Sequence, residues 1–160
     1  MTTEQLIDAL LNSDPEGRQA AAQTLASLGE EAAPAAVTLA RFAADADIGE
    51  WCVAALEEIG APPSGDVGRL AELLPSADAA SGYWSATLLG RLGPAAVEAV
   101  PALTDAASNA AEEVADRAVL ALGKIGPAAA SSLPALQALQ ASDRPRTARL
   151  AKQAIELIES

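Results

Sequence analysis

Apolar residues along this chain fall on two ladders with one period. Leu28-Gly29, Ile59-Gly60, Leu92-Gly93 and Ile125-Gly126 place an apolar residue before glycine at intervals of about 33 residues, the first interval being two shorter. Ile158-Glu159 continues the series with Glu in place of Gly. Leu6, Leu39, Leu70, Leu103 and Leu136 run in step, with the same two-residue shortfall. A period of this size is the signature of stacked structural repeats. The boundaries are 1–29, 30–60, 61–93, 94–126 and 127–160, forming one repeat domain.

Aligned on its anchor glycine (or Glu159), each unit carries apolar or small residues twelve, eight, five, four and one positions earlier, as in Val114, Ala118, Ala121, Leu122 and Ile125. At 100° per residue these lie within about 80° of arc, one buried stripe of a helix. The anchor glycine ends that helix in a left-handed cap. Pro94 and Pro127 open the next segment. A first helix carries Val67, Leu70 and Leu73 in the third unit and Leu133, Leu136 and Leu139 in the fifth. Pro101 and Pro134 lie at matching places in the fourth and fifth units, one residue past the first apolar position, where a kink is expected. Turn signals such as Ser13-Asp14-Pro15 and Ser76-Ala77-Asp78 separate the helices. The two missing residues of the second unit lie between Phe42 and Glu50. The pattern predicts an all-α chain of ten helices in antiparallel pairs.

The second-helix pattern, Val114-Ala115 followed by Ala118-Val119-Leu120-Ala121-Leu122-Gly123-Lys124-Ile125-Gly126, resembles the HEAT family, in particular bacterial HEAT-like repeats related to phycobilisome lyases. The resemblance covers the whole chain and implies a right-handed α-solenoid of five HEAT-like helical-pair repeats, with the second helices lining a concave face. One departure is clear: the family's Arg after the Val is present only as Arg18, and Gly49, Gly82, Ala115 and Ala148 replace it elsewhere. The Asp–Arg ladder that ties neighbouring repeats in the family is therefore expected to be largely missing.

Composition narrows the function. Twenty-two acidic residues face ten basic ones, for a net charge of −12, without a basic stripe to displace counterions from phosphate. Nucleic acid and anionic membranes are therefore not expected partners. A charged partner would be basic, although solubility or a salt-rich habitat accounts for the acidity equally well. No histidine is present, so there is no Ser-His or Cys-His nucleophile pair and no imidazole base. The His-Glu iron motif of deoxyhypusine hydroxylase-like HEAT proteins cannot be built either, and a HEAT-like DNA glycosylase would want a cationic concave face. Cys52 stands alone in a small-residue core slot, without a disulfide partner or metal-ligand spacing. The pairs Glu30-Glu31, Glu57-Glu58 and Glu112-Glu113 diverge by about 100° on a helix and read as solvated or dipole-facing charge. No catalytic residue, metal or cofactor is predicted. The N-terminus lacks a signal-peptide pattern, and no run of about eighteen uncharged apolar residues exists, which points to a cytosolic chain.

What remains is a surface. Ten, six and three residues before each anchor lie opposite the buried stripe and are expected to line the groove. From these rows Glu50, Tyr83, Thr87, Asp116 and Leu120 are the candidate protein-binding residues: an aromatic and an apolar side chain in a small-residue trough, edged by carboxylates. An exposed tyrosine without a role fits the same pattern. Trp51 and Trp84 share one slot on the flank between repeats and are assigned to packing against the preceding unit, Trp84 on Gly49 and Val53, Trp51 near Arg18. The expected function is a non-enzymatic scaffold binding a protein or peptide. The alternatives are an accessory subunit of a modifying enzyme, phycobilin lyase-like, or a structural repeat module of a longer protein.

Overall fold

A computed structural model describes all 160 residues, and every regular element in it is helical. The α-helices are α1 (Thr3–Asn12), α2 (Pro15–Ser27), α3 (Ala36–Arg41), α4 (Gly49–Glu58), α5 (Val67–Leu73), α6 (Ala79–Leu92), α7 (Val100–Asn109), α8 (Glu112–Ile125), α9 (Leu133–Gln140) and α10 (Pro145–Glu159). They form consecutive packed pairs in two layers, odd-numbered first helices against even-numbered second helices. The five ladder leucines, Leu6, Leu39, Leu70, Leu103 and Leu136, are all buried between the layers and belong to one continuous core.

Local chemistry sets the element ends. Asp14 and Asp78 cap α2 and α6 by accepting from Gly17 N and Ser81 N, and Thr2 and Gln5 close a capping box on α1. Every anchor glycine has positive φ, from 57° to 76°. The cap differs from the expected left-handed one, because ψ is −135° at Gly93 and −145° at Gly126. That is an extended mirror region open only to glycine. The chain then enters a 3-10 segment, Gly29–Ala35, Gly93–Ala99 or Gly126–Ser132, with a shorter one at Ser64–Asp66 before α5. The first helix of these units is thus a 3-10 turn joined to an α-helix. Pro101 and Pro134 sit in the first turn of α7 and α9, just after that junction. A missing N–H there leaves no helical bond unmade. The bend lies inside the 3-10 segments, at Ala96 and Ala129, rather than at the prolines.

The stretch Glu112–Gln140 is long and apolar enough by composition to cross a membrane, but it comprises α8, a 3-10 segment and α9, reversed at Gly126, with half of its most apolar window buried in the protein. The shortened second unit loses the first turn of its second helix: α4 starts at Gly49, eleven positions before its anchor, whereas α6 and α8 start fourteen before theirs.

Neighbouring second helices approach closely at α2–α4, α6–α8 and α8–α10, but not at α4–α6, and α6 packs on α3 instead. Two slots explain this. A Cβ on Gly90 would lie 3.3 Å from Ala121 Cα, and one on Gly123 would lie 3.2 Å from Ala154 Cα. The residue three before one anchor therefore meets the residue five before the next. At α2–α4 those slots hold Ala26 and Ala55, but at α4–α6 they hold Glu57 and Leu88, too bulky for backbones to close. The fold is a continuous two-layer stack with one wide seam.

Candidate functional site

A second helix in a stack is covered on three sides, by its own first helix and by both neighbours, and this decides which predicted residues are free. In the row three before the anchor, Gly90 and Gly123 are buried by packing, while Glu57 and Glu156 stay exposed. The row ten before also points to the next unit. Tyr83 lies beneath the Arg117 guanidinium, 4.6 Å from the ring centre, and meets Trp84 edge-on at 5.5 Å. Both contacts place positive charge or ring edge where the π-face quadrupole favours it. Asp116 is 4% exposed, accepting from Thr147 Oγ1 at 2.8 Å and pairing with Arg146 Nε at 3.2 Å. Its place in the groove is thus overturned: Asp116 ties the fourth unit to the fifth, a substitute for the missing Asp–Arg ladder.

The row six before the anchor is the one left outward. Ala54, Thr87 and Leu120 are half-buried in it, and Gln23 and Gln153 are exposed at its ends. Thr87 Oγ1 donates to Tyr83 O at 2.8 Å, which satisfies its hydroxyl hydrogen within the helix. Thr87 and Leu120 hold equivalent places on adjacent helices, with Tyr83 one turn from Thr87. Glu50 is exposed on α4, across the seam.

The reach of arginine is the part that helix-wheel reasoning missed. Arg91, two positions before its anchor, spans the seam and donates from Nη1 to Leu56 O at 2.7 Å and Gly60 O at 3.1 Å. These are free carbonyls at the end of α4. The Arg91 guanidinium also lies 5.8 Å from the Trp84 ring centre. Burial, and then Arg117 close by, lower the Arg91 pKa, while Tyr83 and Glu57 oppose the change. Glu57 and Glu58 sit at the C-terminal end of α4, where the helix dipole disfavours carboxylates, and Arg91 brings opposite charge there. Because Arg91 reaches the preceding unit, the flank it shares with Trp84, seven positions earlier, faces that unit as expected. The neighbours differ from those expected: Gly49 is small because a Cβ there would lie 2.8 Å from Ala43 O, and Arg18 stacks on Phe42 at 5.4 Å rather than on Trp51. Trp84 is buried, whereas Trp51 in the same slot stays 40% exposed.

Elsewhere the chemistry is quiet. Burial, with Asp45 adding to it, pushes the Cys52 thiol up to about 12, so it is no thiolate at neutral pH. No three His, Cys, Asp or Glu side chains are grouped to hold a metal ion. A cavity of about 480 Å³ lies at the turn edge between the third and fourth units, lined by alanines, Leu74, Pro75 and Val114, with Asp105 and Asn109 bonded to each other at its rim.

No family model matches the sequence, and no curated protein does. Solved structures do. The chain is similar to the crystal structure of an engineered protein (TM-score 0.70, 23% identity, 99% of this chain and 79% of that one). It also resembles computationally designed armadillo repeat proteins for modular peptide recognition (TM-score 0.64, 22% identity, 94% and 79%). A third is a designed armadillo repeat protein in complex with peptide (KR)4 (TM-score 0.51, 18% identity, 99% and 100%). The chain is a helical repeat solenoid.

Proposed function

We propose that this protein is a non-enzymatic scaffold of HEAT-like repeats that holds a protein or peptide segment across its second helices. The observation that carries this reading is the outward row: Ala54, Thr87 and Leu120 are half-buried on successive second helices, flanked by Tyr83 and Arg117 and ended by exposed glutamines. A shallow apolar strip with polar margins suits an extended chain, whose side chains would enter between helices while its backbone meets polar neighbours. Designed repeat proteins of similar fold that take peptides support it. Two α-helices in each repeat favour HEAT-like pairs over three-helix repeats.

The test is selection from a random peptide display library. Enriched peptides should lose binding to Thr87→Arg, which fills the strip, and keep binding to Gln137→Arg on exposed α9 in the other layer. Failure to enrich any peptide, or binders indifferent to Thr87→Arg, refutes the proposal.

A further inference from the structure

The chain has four aromatic residues, and three of them carry an arginine of the protein's own. Arg18 lies over Phe42, Arg117 over Tyr83 and Arg91 over Trp84, at 5.4, 4.6 and 5.8 Å from the ring centres. The fourth, Trp51, has none and is also the most exposed of the four, at 40%. Its slot is the one that holds Trp84 in the third unit and Arg117 in the fourth, on the flank facing the preceding unit. The position in the first unit that corresponds to Tyr83 is Gln19 of α2, which is neutral and exposed.

No local cation is free to cover the indole. Only three of the ten basic residues, Arg18, Arg41 and Arg69, precede α6, while most of the 22 acidic ones do. Arg18 is on Phe42, Arg69 is paired with Asp66, and Arg41 belongs to α3 in the first-helix layer. Around the ring the charge is negative. Glu58 lies seven positions on along the same flank of α4, and Asp47 stands just before the helix, both exposed.

An indole face attracts a guanidinium or ammonium group through its quadrupole, and carboxylates beside it raise the local concentration of cations. We propose that Trp51, with Glu58, is a subsite for one arginine or lysine side chain of a basic peptide. This deepens the scaffold reading and rests on it: the segment lying along the second helices carries positive charge over α4. Beyond the seam, Arg91 covers Trp84, the ring in the same slot, and Arg117 covers Tyr83, so the cation requirement is confined to this end.

The test uses fluorescence anisotropy with labelled octapeptides, (Lys-Arg)4 and (Glu-Asp)4, at low and moderate salt. (Lys-Arg)4 should bind, and (Glu-Asp)4 should not. Trp51→Ala should weaken (Lys-Arg)4 about three- to tenfold at both salt concentrations, the loss of one cation–π contact, and Trp51→Phe should fall between. Glu58→Gln should weaken binding mainly at low salt, flattening the salt dependence. Thermal melts check that each variant is folded, and Trp51→Phe preserves the ring if Trp51→Ala does not fold. Equal affinity of Trp51→Ala for (Lys-Arg)4, preference for the acidic peptide, or binding of neither overturns the subsite. Library peptides that bind and are lost on Thr87→Arg would still leave the scaffold reading standing.

Discussion

Trp84→Ala, compared with Trp51→Ala, tests the packing account most directly, because the two indoles occupy one slot on successive second helices. Trp84 is 8% exposed. A buried aromatic of this size removes about 150–250 Å² from water, and at about 25 cal/mol per Å² that is at most about 4–6 kcal/mol. Large-to-small deletions of buried aromatics cost about 3–5 kcal/mol. An edge-on aromatic contact such as that with Tyr83 adds about 0.5–1.5 kcal/mol. Against this, Arg91 keeps its bonds to Leu56 O and Gly60 O, so the seam retains its polar bridge. The expected cost is about 4 kcal/mol, a large share of the roughly 5–15 kcal/mol that holds a domain folded. For a chain of this length it corresponds to a fall of about 8–16 °C in Tm. Trp51, more exposed and with no ring stacked on it, should cost under about 2 kcal/mol. Urea titrations followed by circular dichroism would measure both, and in Trp84→Ala the remaining indole reports on the second unit alone. A cost for Trp84→Ala below about 1.5 kcal/mol, the range of an ordinary substitution, or no greater than for Trp51→Ala, would refute the burial argument.

Gly123→Leu should detach α10, because even its Cβ would press to 3.2 Å on Ala154 Cα, a backbone atom that cannot swing away. The overpacking cost of about 1–3 kcal/mol should appear as faster hydrogen exchange confined to α10. Asp116→Ala leaves the buried Thr147 hydroxyl without its partner and should cost about 1–3 kcal/mol. Asp116→Ala with Thr147→Val should recover part of that, as equilibrium unfolding of both variants would measure. Cys52 should resist thiol reagents at pH 8 in the folded protein and react at the rate of unfolding. Its raised pKa favours the neutral thiol in the fold, so the associated stability is present below the thiol's unfolded value near 9 and is lost as pH climbs towards about 12, readable from denaturation midpoints across that range.

Much of the architecture was legible in the residues, because each cue acts within one helix or one turn. The period pointed to stacked helical repeats. The ladder leucines marked the core, the anchor glycines marked positions of positive φ, Asp14 and Asp78 announced helix starts, and Cys52 in a small-residue slot was packing. The two-residue deletion was placed where α4 loses its first turn. The glycine ψ angles and the 3-10 entry to each first helix were not visible, since glycine followed by proline is compatible with several caps.

What the tertiary structure alone decided is which side of each second helix remains free. A helical wheel ranks residues by angle from the core stripe, and by that ranking Tyr83, Asp116, Gly90 and Gly123 all look outward. Whether an outward angle meets solvent or a neighbour depends on the distance and stagger of adjacent helices, and these are set by pairs of side chains a full repeat apart. Gly90 against Ala121 lets two backbones close, whereas the corresponding slots hold Glu57 and Leu88 at α4 and α6, which stay apart and leave the seam that Arg91 bridges. The same dependence separates the tryptophans. Identical residues in one slot end up buried or exposed, and only the buried one has an arginine, Arg91, seven positions on to lie over its ring where the other has Glu58, a difference written in the chain whose meaning appears only when the helices are stacked.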